Sequence, residues 1–276
     1  MYRKAIEQLK AWKDSTHRKP LVLKGARQVG KTWLMNELGS SCYEKTFYFN
    51  FDKEEVLKDI FKNNKNPVRF LELLGILKED KILPGKHLII FDEIQECPDA
   101  LNALKYINEE ANEYHVIAAG SLLGTYLAQP HSYPVGKVNL MDIYPMDFEE
   151  FLAATAPSLY DLIQKDDTEA ISLFHDRFVD QYNNYLIIGG MPECVSSWIE
   201  EKNTGIVGQI QDDLIELYEN DITKHSGKIN SGRILLVFRS IVSQLSKENE
   251  KFIYGCVKEG ARAREFQDAI EWFVSA

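Results

Sequence analysis

The sequence has few of the features that mark membrane-spanning, metal-centred or repetitive proteins. It contains no apolar run approaching the ~18 residues that suggest a membrane span, and it opens on a mixed helical pattern rather than an apolar signal region. Its six histidines show no HExxH or other metal-ligand spacing, and no Gly-x-Ser-x-Gly elbow occurs. We find no internal repeat and no low-complexity tract. These absences argue against a membrane protein, a zinc enzyme and a repeat protein.

Cysteine is also scarce, and its positions are widely scattered. The four cysteines form no CxxC pair, so nothing in their spacing indicates a disulfide framework. We therefore expect reduced thiols and a cytoplasmic protein. The cysteines are Cys42, Cys97, Cys194 and Cys256.

Basic residues are outnumbered by acidic ones, and the imbalance is uneven along the chain. With 32 Lys and Arg against 42 Asp and Glu, the formal net charge is −10, which argues against a protein that coats nucleic acid non-specifically. Residues 228–264, here called the basic stretch, carry eight basic and three acidic residues. This stretch is a candidate contact surface for a protein partner or a nucleic acid, although a solvated helix face would have the same composition.

Short apolar runs alternate with helical patterns over the first 120 or so residues. This alternation predicts an α/β fold, a parallel sheet covered by helices on both faces. Further along, Asp147 is followed three residues later by Glu150, a capping pattern that predicts the start of a helix. From there to about Thr223 the pattern is mostly helical. The predicted strands are Pro20–Lys24, Thr46–Phe51, His87–Phe91 and Val116–Ala119.

A glycine loop follows the first predicted strand and opens a helix. Gly25-Ala-Arg-Gln-Val-Gly-Lys-Thr32 matches the pattern G-x-x-x-x-G-K-[ST] throughout. The glycines let successive backbone N–H groups turn inward, and the helix N-terminus adds partial positive charge, so we expect a phosphate cradle. Lys31 would reach the β and γ phosphates of ATP, and the Thr32 hydroxyl would bind Mg²⁺. The alternative is a glycine-containing turn with an incidental lysine.

The residues expected to bind the nucleotide comprise this loop and the residue that follows it. For Arg27 and Gln28 two interpretations are open, contacts to a phosphate or a neighbouring subunit, or solvated loop side chains. The full set is Gly25, Ala26, Arg27, Gln28, Val29, Gly30, Lys31, Thr32 and Trp33.

An acidic pair ends the third predicted strand, about 60 residues after the loop. Because ligands of open α/β sheets bind at the carboxyl ends of the strands, Asp92 and Glu93 are expected beside the phosphates. Asp92 would hold Mg²⁺, and Glu93 would orient or deprotonate the attacking water. Ser121 follows the next strand and would sense the γ-phosphate. The alternatives are helix caps, for the acidic pair and for Ser121.

Six motifs, taken together, resemble one family. They are Gly25–Thr32, Ile89-Ile-Phe-Asp-Glu-Ile-Gln95, Ala119-Gly-Ser-Leu-Leu-Gly124, Tyr144-Pro-Met-Asp-Phe-Glu-Glu-Phe151, Gly189-Gly-Met-Pro192 and Gly260-Ala-Arg-Ala-Arg264. Over about residues 3–276 the chain is similar to prokaryotic AAA-type ATPases related to the archaeal STAND-like ATPases. The resemblance implies that the strand before Ser121 separates the strands of Lys31 and Asp92. It also implies a helical lid, a winged-helix-like region and, in full-length relatives, a further nuclease-like domain.

One position departs from the family pattern. Relatives usually carry Gly-Arg where this chain has Gly136-Lys137. If that position contacts the γ-phosphate, lysine keeps the charge but loses the bidentate fork. A surface lysine is the other interpretation, and we favour it.

The resemblance and the helical patterns together predict three domains. We expect a P-loop AAA-type domain over residues 1–155, a helical lid over 156–225 and part of a winged-helix-like domain over 226–276. Phe266, Ala269, Ile270 and Phe273 recur at helical spacing, and the chain stops three residues later without a cap. We therefore expect a truncated form whose last domain is incomplete.

These residues predict Mg-dependent ATP binding and hydrolysis coupled to conformational change. Glu93 is the expected base, Lys31 stabilises the transition state, and Thr32 with Asp92 binds magnesium. One alternative is a slow nucleotide-dependent regulatory switch. The other is a module that has weak or no ATPase activity and binds nucleic acid or a protein partner. The retention of every side chain expected in the nucleotide site argues against this alternative.

Overall fold

In the part of the chain that the computed structural model describes, five parallel strands, β1 to β5 in chain order, form one sheet. Their spatial order is β2-β3-β4-β1-β5. The strand that precedes Ser121 thus lies between β1 and β3, as the family resemblance implies. The strands span Leu21–Lys24, Lys45–Asn50, His87–Asp92, His115–Ala119 and Asn139–Asp142.

The structure describes residues 1–62, 64–121, 123, 136–225, 231–247 and 251–275. The chain divides into two compact units, Met1–Thr204 and Gly205–Ala276. Among the described helices, none combines the length and the hydrophobicity that crossing a bilayer requires. The division into a P-loop domain, a lid and a winged-helix-like domain stays a prediction.

Ten described helices of the first unit, α1 to α10, cover the sheet and continue beyond it. They are Ala5–Asp14, Lys31–Cys42, Glu55–Lys62, Pro67–Leu77, Pro98–Glu110, Phe148–Thr155, Pro157–Gln164, Thr168–Leu173, His175–Ile188 and Pro192–Glu201. A 3₁₀ turn, Ile94–Glu96, connects β3 to α5. Strands and helices alternate up to β4, as the apolar runs predicted.

The inner strands β1, β3 and β4 are buried on both faces because they are mostly apolar. All six residues of β3 are buried. Ile89 and Phe91 pack into the core beneath α3, α4 and α5, whereas Leu88 and Ile90 pack beneath α1 and α2. Each fully buried side chain of this size contributes about 1.5–3 kcal/mol. The two cores therefore fix the position of the acidic pair at the end of β3.

The start of α6 confirms the predicted cap. Asp147 accepts a hydrogen bond from Glu150 N at 2.8 Å, and the Glu150 side chain reaches back to Asp147 N, which completes a capping box. Phe151 and Leu152 are fully buried, and Phe148 packs edge-on against Tyr182 at 5.3 Å. The cap and these packed side chains thus fix the start of α6 within the first unit.

The second unit has its own small apolar core. Its described elements are α11 (Thr204–His225, which begins at the boundary), α12 (Ser231–Leu245), α13 (Tyr254–Val257) and α14 (Ala263–Ser275). On α14, Phe266 and Ala269 are buried, and Ile270 and Phe273 pack partly buried against them. The predicted apolar face of the last helix is therefore used inside this unit, and the winged-helix assignment stays a prediction.

Candidate functional site

The glycine loop joins β1 to α2 in a conformation that its two glycines permit. Gly25 has φ +139°, and a Cβ placed there would overlap the carbonyl oxygen of Ile143. Gly30 caps α2 in the left-handed region with φ 96°. Between them, Gln28 is exposed with φ 64°, and Val29 is fully buried in the core. One buried residue thus anchors a loop whose other side chains lie nearer the surface.

Lys31 folds back over this loop. Its Nζ donates hydrogen bonds to the carbonyl oxygens of Gly25 at 2.7 Å and Ala26 at 2.8 Å. Burial lowers the pKa of Lys31 to about 8, against the opposing influence of Glu93 and Asp92. An ammonium has three donors, so one proton of Nζ remains for a phosphate oxygen.

Asp92 is the buried centre of the site. Its Oδ2 accepts from Thr32 Oγ1 at 2.9 Å and from Tyr48 Oη at 2.7 Å, while Oδ1 accepts from Glu93 N at 3.1 Å. Burial and the bond to Asp92 raise the pKa of Tyr48 to about 12, which keeps its hydroxyl protonated. Sequence reasoning missed Tyr48, because its role depends on the pairing of β2 with β3.

The donor set matches magnesium. The Thr32 hydroxyl and the Asp92 carboxylate meet at 2.9 Å, and both are the hard oxygen ligands that Mg²⁺ prefers. No group of three His, Cys, Asp or Glu side chains suited to a metal occurs in the described part of the chain. A magnesium ion bound through one carboxylate, one hydroxyl, phosphates and water does not need such a group.

Glu93 sits on the same edge, in a left-handed backbone conformation. With φ 53° and ψ 43° it occupies a region that side chains seldom adopt. Its Oε2 accepts from Gln95 Nε2 at 2.6 Å and lies 3.4 Å from Ser121 Oγ. The structure thus brings Glu93 and Ser121 together. It also adds Gln95, which the Asp-Glu-Ile-Gln motif contained but to which we assigned no role.

A cavity opens beside the start of α2. Trp33 is 40% exposed there, and the cavity is about 360 Å³ in volume. Arg27 is half-buried on the glycine loop, and its positive charge makes a small further contribution to lowering the pKa of Lys31. The cavity is lined by Met1, Arg3, Gly30, Trp33, Met146, Pro192, Glu193 and Ser196.

Arg3 ties the glycine loop to the segment before α6. This buried guanidinium donates to Val29 O at 2.9 Å and to Tyr144 O at 2.7 Å. Its Nε lies 3.2 Å from Glu150 Oε2, an ion pair without hydrogen-bond alignment. Lys4 N donates to the other Glu150 oxygen at 2.6 Å. No local pattern in the sequence could reveal this network, since Tyr144 and Glu150 lie more than a hundred residues from Arg3 and Lys4.

The Gly189-Gly-Met-Pro192 motif meets the same segment. Met146 N donates to Gly190 O at 2.7 Å, and Tyr185 Oη donates to Met146 O at 2.9 Å. A Cβ on Gly190 would overlap Met146 O. Pro192 lies 3.7 Å from the position a Cβ on Gly30 would take. The turn between α9 and α10 is therefore adjacent to the glycine loop.

Lys137 does not lie at this edge. Lys137 pairs with Glu109 at 2.9 Å, two residues before the amino end of β5, as a surface lysine does. Part of the basic stretch, residues 228–230 and 248–250, lies outside the described residues. In the described part of the basic stretch, Arg239 forms a bidentate ion pair with the carboxylate of Glu219, with hydrogen bonds of 2.7 and 2.8 Å.

Two stretches of the chain match family models. Residues 17–152 match a family model described as an AAA domain, and residues 179–276 match a domain of unknown function. No curated protein matches the chain. A Walker-type ATPase from Pyrococcus abyssi shares the fold with a TM-score of 0.59 at 14% identity, covering 99% of this chain and 89% of that one.

Two further solved structures are more distant. DnaA from Aquifex aeolicus, bound to AMPPCP, has a TM-score of 0.41 at 12% identity, with 99% of this chain and 87% of that one covered. The Orc1 protein of Aeropyrum pernix, in complex with DNA, has a TM-score of 0.35 at 16% identity, with 98% and 80% covered. The fold is that of a P-loop NTPase, and within it residues 17–152 match the AAA domain model.

Proposed function

We propose that this protein binds Mg-ATP at the carboxyl edge of its sheet and hydrolyses it, coupling turnover to a change in conformation. The observation that carries this proposal is the contact between Thr32 Oγ1 and Asp92 Oδ2 at 2.9 Å. Sixty residues separate the two side chains, and Lys31 lies directly beside them. A glycine loop with an incidental lysine would have no reason to meet a buried carboxylate.

The loop and Lys31 would bind the phosphates. The backbone N–H groups between Gly25 and Gly30 precede the N-terminus of α2, and the partial positive charge of that helix end favours a bound anion. Lys31 Nζ already lies over the loop through its bonds to Gly25 O and Ala26 O. It would exchange part of this contact for the β and γ phosphates. The cavity at Trp33 supports a place for the base beside the loop.

Glu93 and Ser121 would act on the γ-phosphate side. Magnesium, when held by Thr32 and Asp92, supplies charge neutralisation on the phosphate oxygens. Glu93 is the carboxylate that would accept a proton from the attacking water. Ser121, 3.4 Å from Glu93, would contact the γ-phosphate or the water.

A route for coupling starts at the loop. Arg3 joins Val29 O to Tyr144 O, and Met146 is bonded to Gly190 in the turn before α10. A movement of the glycine loop on binding phosphate would displace Arg3, and with it the turn at Gly190 and α10. This chain of contacts supports the helical region as the part that responds to nucleotide.

A steady-state assay of phosphate release tests the proposal. We expect hydrolysis of ATP that requires Mg²⁺, and its loss in Glu93→Gln with nucleotide binding retained. Single-turnover measurements then give the rate of the chemical step. Binding without any turnover in the wild-type protein would contradict hydrolysis and leave a nucleotide-dependent switch. Absence of binding would contradict the whole proposal.

A further inference from the structure

We propose that Gln95 is a positioning residue that holds the Glu93 carboxylate by one oxygen and leaves the other to face the attacking water. The inference rests on the proposed function and adds a residue that acts through Glu93 rather than on the substrate.

The turn that carries Gln95 is fixed by its backbone and by one buried neighbour. Glu96 N donates to Glu93 O at 3.0 Å, and Cys97 N donates to Ile94 O at 3.0 Å. Ile94 is fully buried in the core. A turn held in this way has little freedom, so the direction in which Gln95 leaves the backbone is set by the fold.

The amide of Gln95 contacts Glu93 through its nitrogen. Nε2 lies 2.6 Å from Glu93 Oε2, a short charge-assisted hydrogen bond. An ionised carboxylate only accepts hydrogen bonds, so the NH₂ group must be the end that faces Glu93. Among the described residues, no hydrogen bond reaches the second oxygen, Oε1 of Glu93. That oxygen is the one available to a water molecule.

The other end of the amide occupies a notch beside Gly120. Gln95 Oε1 is buried and has no hydrogen-bond partner within the described ranges. A Cβ on Gly120 would overlap this oxygen and would lie 2.7 Å from Leu123 Cδ1. Leaving a carbonyl buried and unpaired is costly. Stability alone therefore does not account for Gln95 here, whereas orientation of Glu93 does.

Two nearly isosteric substitutions test this role. Gln95→Met removes the donor, and Gln95→Glu replaces it with a like charge beside Glu93. Because loss of a group that orients a catalytic side chain typically costs about 10- to 100-fold in rate, we expect kcat to fall by that factor in both variants. The Kd for Mg-ATP, measured by fluorescence titration, should stay within about twofold, since neither variant touches the phosphate loop. Thermal unfolding midpoints establish that the variants fold.

Glu96→Gln is the matched control. It lies in the same turn, and its side chain has no hydrogen bond or ion pair with Glu93 in the described structure. We expect its kcat to equal that of the wild-type protein. Gly120→Ala approaches Gln95 from the other side. By displacing the amide it should lower kcat as Gln95→Met does.

A double-mutant cycle separates positioning from a general structural effect. If Gln95 acts through Glu93, Gln95→Met should slow the wild-type protein but should not slow Glu93→Gln further. Unchanged kcat in Gln95→Met, or an equal loss in the Glu93→Gln background, would overturn the role of Gln95 and leave the ATPase proposal standing. Full activity in Glu93→Gln would instead overturn the assignment of Glu93 as the base.

Discussion

The two edges of the parallel sheet carry similar polar side chains but use them differently. At the amino edge, β3 and β4 each begin with a histidine whose ring is already engaged. Leu83 N donates to His87 Nδ1 at 3.0 Å, and Tyr43 Oη lies 2.7 Å from His115 Nδ1. These hydrogen bonds join neighbouring segments of the first unit, so the amino edge is structural.

At the carboxyl edge the polar groups keep unused capacity. Lys31 Nζ donates two of its three protons in hydrogen bonds to loop carbonyls. Glu93 Oε1 accepts no hydrogen bond from the described residues. Asp92 accepts two hydrogen bonds at Oδ2 but only one at Oδ1 among the described residues, so its carboxylate also keeps an acceptor site. Position at a strand end therefore does not make a site by itself. A site also needs fixed groups whose remaining donors and acceptors face one space.

The largest effect is expected behind the carboxyl edge, at Arg3. Arg3→Met would leave Glu150, which is 5% exposed, as a buried charge without its ionic partner. We expect the free energy of unfolding to fall by about 3–5 kcal/mol. Urea denaturation measures it. Nucleotide affinity should fall as well, because Val29 O loses the donor that holds the loop.

Lys4→Met is the control for Arg3. Its ammonium pairs with Asp147 and Glu149 at 2.7 Å each, and its side chain is 39% exposed. An exposed pair contributes about 0–1 kcal/mol. Equal losses in the two variants would contradict the special importance of the buried network.

Glu93→Gln should separate chemistry from binding at the carboxyl edge. An amide cannot accept the proton of the attacking water, so we expect kcat to fall by about 100- to 1,000-fold. The Kd for Mg-ATP should change little, since the glycine loop and Lys31 supply the expected contacts to the phosphates. A fall in affinity with kcat unchanged would mean that Glu93 belongs to the binding half of the site.

The smallest effect is expected at the amino edge, as a dependence of stability on pH. Burial, with a smaller contribution from Arg18 and Lys13, lowers the pKa of His115 from 6.5 to about 4. The unfolded state therefore binds more protons between these values, and stability falls as the pH drops through this window. Because the ring is only half-buried, the loss at pH 5 should be about 1 kcal/mol at most.

Unfolding in urea at pH 7 and pH 5 checks this prediction. His115→Gln should lose less stability between the two pH values than the wild-type protein, while the exposed His17→Gln should behave as wild type. Both variants should bind Mg-ATP normally. Weakened binding in His115→Gln would break the distinction between the two edges.

Much of the sheet could be predicted because its inner strands are continuous apolar runs. Residues 21–23, 88–91 and 116–119 are buried on both faces, and a sequence records this directly. β5 was missed, since Asn139-Leu-Met-Asp142 has no such run and is defined by its pairing with β1. α3 was missed too, although Leu57 and Phe61 lie on its buried face.

Candidate site residues could be named from the sequence where a motif fixes the geometry locally. The loop, Asp92, Glu93 and Ser121 follow from strand ends and glycine spacing. Tyr48 could not be assigned a role, because its contact with Asp92, 44 residues away, depends on strand pairing. Arg3 contacts Tyr144, which lies 141 residues away. The role of Gln95 depends on which end of its amide faces Glu93. The sequence therefore indicated the candidate ligand-binding groups, whereas the residues that hold them in place emerged only from the structure.

The Kd for Mg-ATP of Lys31→Ala tests the account most directly, with Lys24→Ala as its control. Lys31 lies over the loop, whereas Lys24, one residue before it, pairs with Asp142 at 2.9 Å. Removing a charged donor from the phosphates should weaken binding by about 100-fold, or about 2.7 kcal/mol, in Lys31→Ala. Lys24→Ala should bind as the wild type does. Equal affinity in the two variants would contradict a nucleotide site at the carboxyl edge.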